Sequence, residues 1–510
     1  MILQERVKLL LFVLLSISLN SFSTNTKFYN ISDTYGITSG EAFSICKDQY
    51  GFIWTSTKTG ILRVTEDDCR NYELPCRTTD FVFVKLTYSN SQLFSYTNNG
   101  QIFHYDEPTD QFFFLTDLRE ETDNSHITIG TIVADTSNVL WIASSIGLFK
   151  YENNILTKIP QTEEDIKHLT FYDDNHLFYI TSAGISLLNI STSESRLLYS
   201  NTTEDFFQVP SLYYDDQLKR LWIGTGSAGL FYYDIIRKSL SDIPIRNFPK
   251  QPILAIRKDA KNTLLIGIDG QGIWNISEKG DTILHIYKED LNNPFSLRGD
   301  GVYDILCDGS KNWIATFTGK LSFFENNNSQ ITPVTYQINN PNSLGNNYVN
   351  QIIEDHEGHI WFATNNGVSR WDAASNKWKH YYQNKSEQAK VFLSLCEDNQ
   401  GHIWAGSYSS GIYLLDRETG KTLKHYSSKT NTPGFTGDFI FDFFVDKEGD
   451  VWIGGNQRLS CYLIKEDRFR EYPVQPVSAF AELSPGKLLL TTSRGLLLLD
   501  KNQGTVETLV

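Results

Sequence analysis

The chain reads as all-β, a β-propeller array of eleven four-stranded blade repeats, on three observations. Seven of its ten tryptophans occupy one register of a recurring motif, at Trp54, Trp141, Trp222, Trp313, Trp361, Trp404 and Trp452. A glycine follows six or seven residues later in most copies, as Gly60, Gly147 and Gly229 do. Four degenerate copies place Phe94, Phe178, Leu265 or Leu489 at the tryptophan position, and the eleven centres then recur about every 43.5 residues. Strands marked by Trp and Gly at a period of roughly 40–50 residues are the signature of a propeller, one blade per repeat.

One repeat, taken strand by strand, justifies the reading. Tyr348 to Asp355 is a short apolar strand that leads into the turn His356-Glu357-Gly358-His359. Ile360-Trp361-Phe362-Ala363-Thr364 follows, rich in the aromatic and β-branched residues that fit a pleated surface. Asn365-Asn366-Gly367 supplies a tight hairpin, since Asn and Gly accept positive φ at little cost. Val368 to Asp372 is the third strand and Trp378 to Tyr382 the outermost. The small residues after the tryptophans (Ala363, Gly224, Gly406, Gly454) suit the crowded inner part of a blade, and the tryptophan fills the gap to its neighbour.

The beginning of the chain reads as a signal peptide over residues 1–23. Arg6 and Lys8 precede an apolar run from Leu9 to Leu19, and Ser21-Phe22-Ser23 offers small residues for cleavage. The run is shorter than the roughly 20 residues that span a bilayer, so the expected location is the periplasm, or the inner-membrane surface if the segment is retained as an anchor. No later stretch reaches spanning length. Single rings close with 4–8 blades, so eleven repeats predict two rings. Residues 24–338 are expected to form a seven-bladed first ring, and 339–510 a partial second propeller of four blades. An unfinished ring leaves strand edges open. The alternatives are a shortened chain, a partner or second copy that covers the open edge, or a different division of blades.

The connections between blades also repeat. They read Asn292-Asn293-Pro294-Phe295-Ser296-Leu297 followed by Arg298-Gly299-Asp300, and Asn339-Asn340-Pro341-Asn342-Ser343-Leu344 followed by Gly345-Asn346-Asn347. Together with the Glu-Asp-x-x-Gly-x-Ile-Trp-x-x-Thr-x-x-Gly pattern around Trp361, this resembles the two-component regulator propeller repeat. The resemblance covers residues 28–510, is specific around Trp54, Trp361, Trp404 and Trp452, and is weak around Phe94 and Phe178. It implies the periplasmic sensor region of a hybrid two-component system in glycan-degrading bacteria, and an oligosaccharide or other small-molecule ligand. The membrane helix, histidine kinase and DNA-binding region of such proteins have no counterpart in this sequence, so kinase chemistry is expected only in longer relatives.

Composition narrows the partners. A formal net charge of −15 argues against nucleic acid, whose phosphates need a basic surface. Cys46, Cys307 and Cys396 read as buried strand positions where thiols act as small hydrophobes. Cys69 and Cys76 are close enough in sequence to form a disulfide, with two separate thiols as the other reading. No spacing of Cys or His predicts a metal site, and no cofactor is expected.

Asp300, Asn347 and Asp438 align at the start of the innermost strand, where loops converge on a propeller's central channel. They are candidate ligand groups, with a turn-setting role as the alternative. The motif tryptophans read as core. Trp274 and Trp371 share a third-strand position, read as packing between blades, with Trp371 kept as a stacking candidate for a sugar. Catalysis has little support. The pairs Glu354-Asp355 and Glu397-Asp398 recur at one repeat position, and no nucleophile elbow or phosphate-cradling loop is present. The expected activity is recognition without catalysis, with a secreted glycosidase or lyase, or a remnant of a regulator, as alternatives.

Overall fold

The computed structural model describes residues 26–31, 41–65, 68–160, 162, 164–201, 205–206, 208–326, 333–383, 389–430, 432–435, 437–474 and 476–509. The signal peptide expected over 1–23 lies outside them. The described residues form eleven four-stranded antiparallel sheets, each a β-propeller blade. The blades span 44–72, 84–117, 129–158, 168–200, 211–242, 253–287, 302–325, 349–381, 392–426, 440–472 and 479–508, numbered 1 to 11 below. One short helix, Leu118–Thr122, and one 3-10 turn, Ser428–Thr430, are the other regular elements among the described residues.

The chain divides into two compact units, one of residues 1–290 and 294–332 and one of 291–293 and 333–510. In the first unit the innermost strands pack in sequence from blade 1 to blade 7, and blade 7 packs back on blade 1. Blade 7 has only three consecutive strands of its own. Its outermost strand is Phe28–Asn30 from the start of the chain, paired antiparallel with Ser322 to Phe324. The ring is therefore fastened by a strand from the opposite end of its own sequence, which leaves no open sheet edge at the junction. In the second unit packing runs from blade 8 through 9 and 10 to 11, with none of comparable extent joining 11 back to 8.

The local chemistry of a blade follows from its motif. An Asp six residues before the tryptophan closes the first turn. Asp355 Oδ1 accepts from the backbone N–H of Glu357 at 3.0 Å and of His359 at 2.9 Å, while Oδ2 accepts from Trp361 Nε1 at 2.9 Å. Asp48, Asp135, Asp398 and Asp446 hold Trp54, Trp141, Trp404 and Trp452 in the same way. A hydroxyl three residues after the tryptophan ties the next hairpin, as Thr364 Oγ1 does to Gly367 O at 2.8 Å. Gly367 has φ +87°, and a Cβ there would stand 2.2 Å from the Tyr381 carbonyl oxygen of the outermost strand. Only glycine accepts both conditions.

Each motif tryptophan is buried between its own blade and the next. Trp222 packs with Leu230 of blade 5 and with Ile253, Ile256 and Leu264 of blade 6. Trp404 packs against Ile440, Phe443 and Ile453 of blade 10. Removing such a ring would cost about 3–5 kcal/mol, so these contacts hold the array together.

The disulfide considered for Cys69 and Cys76 is not formed, and both are free thiols. Cys69 packs into the cluster shared by blades 7 and 1, and Cys76 into the cluster shared by blades 1 and 2.

Candidate functional site

Seven innermost strands, one from each blade of the first unit, surround a central channel of about 360 Å³. It shares Lys85, His168, Leu254 and Tyr303 with a wider mouth of about 520 Å³. The innermost strands of blades 6 and 7 carry bulges, at Ile253/Ala255 and Val302/Asp304. A bulge inserts one extra residue and re-aims its neighbours. Here the extra residues are Leu254 and Tyr303, both of which line the channel.

Lys85, His168, Arg257 and Asp304 line the channel together. Asp304 is its carboxylate, and both of its oxygens are engaged. Oδ1 accepts from Arg257 Nη2 at 3.0 Å and from the Ile305 N–H at 2.9 Å. Oδ2 accepts from the Ile45 N–H at 2.9 Å and from Ser44 Oγ at 3.3 Å. Burial lowers the Lys85 pKa below the ordinary lysine range, with Arg257 adding to the effect and Asp304 opposing it. The Lys85 ammonium lies 5.1 Å from the centre of the Phe83 ring. His168 is pushed down to about 3, first by burial and then by the charge of Lys85, with Arg257 contributing. Its Nδ1 lies 3.0 Å from Leu169 O, so that nitrogen carries the proton and Nε2 is left as an acceptor. The mouth adds Asp165, which pairs with Lys167 at 2.5 Å, and Asp269.

The three aligned polar residues of the sequence are not brought together. Each braces the loop before its own blade. The Glu289 N–H donates to Asp300 Oδ1 at 2.8 Å, Tyr336 N–H to Asn347 Oδ1 at 2.7 Å, and Ser428 N–H to Asp438 Oδ1 at 2.8 Å. Residues four positions further along occupy the inner strands: Asp304 in the first unit, Gln351 and Asp442 in the second. Gln351 Nε2 reaches Asp442 Oδ1 at 3.5 Å, and burial raises the Asp442 pKa. Polar residues nine or ten positions before the motif centre, in strands otherwise apolar, were the signal that could have found them.

Trp371 stacks on Trp378, centroids 5.5 Å apart and planes within 12°, and its Nε1 donates to Asn376 Oδ1 at 3.0 Å. This is the face of blade 8 opposite Trp361. Trp274 uses the equivalent face of blade 6 to pack against blade 5, in contact with Phe248 at 5.2 Å. Blade 8 has no preceding blade within its unit, so the shared position has two different surroundings.

The carboxylates of Asp446, Glu448 and Asp450 gather within 4.8 Å of one another, an arrangement able to hold a cation. The Lys501 ammonium fills it, at 2.6, 2.6 and 2.7 Å from the three. Burial alone would lower the Lys501 pKa, but these hydrogen bonds outweigh it and raise it instead. No helix among the described residues is long and apolar enough to cross a membrane.

Three stretches, residues 343–366, 386–409 and 434–457, match the two component regulator propeller family. No curated protein matches the chain. Among solved structures, the extracellular domain of a hybrid two component system from B. thetaiotaomicron is 16% identical, covering 95% of this chain and 78% of its own, with a TM-score of 0.49. The extracellular domain of a one component system from the same organism is 17% identical, with coverages of 95% and 79% and a TM-score of 0.47. Virginiamycin B lyase from Staphylococcus aureus is 13% identical, covering 59% of this chain and 99% of its own, with a TM-score of 0.47.

Proposed function

We propose that this chain, which carries the two component regulator propeller repeat at residues 343–366, 386–409 and 434–457, is an exported ligand-recognition module. Its ligand is an oligosaccharide or a similar small polar molecule, and it acts in the periplasm as the sensing part of a signalling system. The observation that carries the reading is the first-unit channel, a concave site with polar groups converging from several strands. Hydroxyls of a sugar match the acceptor Nε2 of His168, and the ring of Tyr303 offers a face for its C–H groups. The motif carboxylates give catalysis no support, because Asp355 and Asp398 are already bound to turns and indoles. Glu397 is likewise tied to His356.

The test is a thermal-shift screen of the folded protein against neutral and acidic oligosaccharides. A ligand at about 100 times its Kd should add about 2.7 kcal/mol of stability. A correctly folded protein whose melting temperature no saccharide moves would contradict the reading. Release of new reducing ends from a polysaccharide panel, above a heat-killed control, would establish an enzyme instead.

A further inference from the structure

We infer that the first-unit channel is built for an acidic sugar, whose carboxylate or sulfate seats against Lys85 with Arg257 and His168 in reach; this rests on the reading of the module as a saccharide sensor. Arg257 and Asp304 answer one another at 3.0 Å. His168 is held neutral by burial and by the neighbouring cations. That leaves the Lys85 ammonium, which makes no ion pair among the described residues and has an aromatic ring as its contact. Asp304 acts on it through space, while its two oxygens already accept four hydrogen bonds from other groups. A half-buried cation with no ion pair, facing a cavity, is suited to a ligand that brings the missing charge.

Lys85 lies where the channel meets its wider mouth, which Lys167, Asp165 and Asp269 also line. Asp165 is answered there by Lys167, so Lys85 is the cation at this junction with no ion pair among the described residues. A polyanion is disfavoured by the net charge of −15. Binding also couples to pH. The bound anion restores the Lys85 charge that burial weakens, so affinity for it falls as pH rises into the depressed lysine range. Arg257, Asp304 and His168 face the same channel, and His168 stays neutral through that range. Lys85 is the group whose charge the bound anion restores.

The experiment compares uronate trisaccharides and sulfated disaccharides with their carboxyl-reduced or desulfated counterparts, by calorimetry on the full chain. At least one charged member should bind about tenfold or more tightly than its neutral partner. Whether it belongs to the uronate or the sulfate arm identifies the acid group. Lys85→Met should abolish the preference for the charged member, while Lys85→Arg keeps most of it. The unaltered protein gives an independent reading, because affinity for the charged member should fall between pH 7 and pH 10 while that for the neutral one stays flat. Equal binding of charged and neutral members, or a preference that survives Lys85→Met, overturns the inference and leaves the sensor reading standing. Absence of binding by every member overturns both.

Discussion

The aspartate of the first turn does more for a blade than its short side chain implies. In blade 8 one carboxylate holds two backbone N–H groups and the indole of Trp361, all removed from water. Asp355→Ala should therefore cost about 2–4 kcal/mol in a denaturant melt. Blade 5 is the control. Its turn is one residue longer, Asp215 takes the turn bonds, and the Trp222 Nε1 has no partner among the described residues. Asp216 stands six residues before Trp222 yet is largely exposed, so Asp216→Ala should stay within about 0.5 kcal/mol. His168 supplies a second residue-scale expectation. Its folded pKa of about 3 lies below its ordinary value of 6.5, so the unfolded chain binds more protons in between. Stability should fall as pH drops from 6.5 toward 3, and His168→Gln should remove part of that slope. Water in the channel screens the effect, and about 1 kcal/mol at pH 5 is the expected difference between the two proteins' melts. The burial of the tryptophans was legible in the sequence, because one register repeated seven times points to packing. The channel groups were not, because Lys85, His168, Arg257 and Asp304 sit in different blades at offsets shifted by bulges. Only closure of the ring brings them together.

At the scale of elements, blades are joined by more than apolar contact. Lys258 of blade 6 reaches the turn carboxylate of Asp215 in blade 5 at 3.1 Å. Lys501 of blade 11 reaches Asp446 in blade 10 at 2.6 Å, and Lys47 of blade 1 reaches Asp308 in blade 7 at 2.8 Å. The closing strand Phe28–Asn30 is the least local join. Phe28 is buried against Phe324 and Tyr287, at centroid distances of 5.0 and 5.4 Å. Phe28→Ala should cost about 3–5 kcal/mol and lower the melting temperature of the first unit, by unfastening the ring as well as by leaving a cavity. The sequence showed eleven repeats but not this exchange. Three residues are too few to carry a periodic signal, and their partner lies nearly 300 residues away in sequence. The last blade shows the opposite condition. Its outer strand Thr505–Thr508 is exposed at every residue, and within its unit the blade packs on blade 10 alone among the described residues. Amide hydrogen exchange should be faster across Lys487–Thr492 than across Arg220–Gly224 in blade 5. Equal protection in a monomer would mean that something covers the open side of blade 11.

In the whole molecule the first unit is a fastened seven-bladed ring, the second unit holds four blades, and the proposed recognition lies in the channel of the first. Repeat type and blade number came from the sequence, since each blade states its own strands, turns and core tryptophan. The channel, its charges and the strand that closes it are properties of the closed ring, which no single repeat carries. The most direct test of the central claim is hydrogen exchange of the full chain with and without a saccharide that raises its melting temperature. The account predicts slower exchange in the inner strands that face the channel, at 85–87, 168–170 and 254–257. Protection confined to the second unit, for example around the Trp371–Trp378 stack, would contradict it.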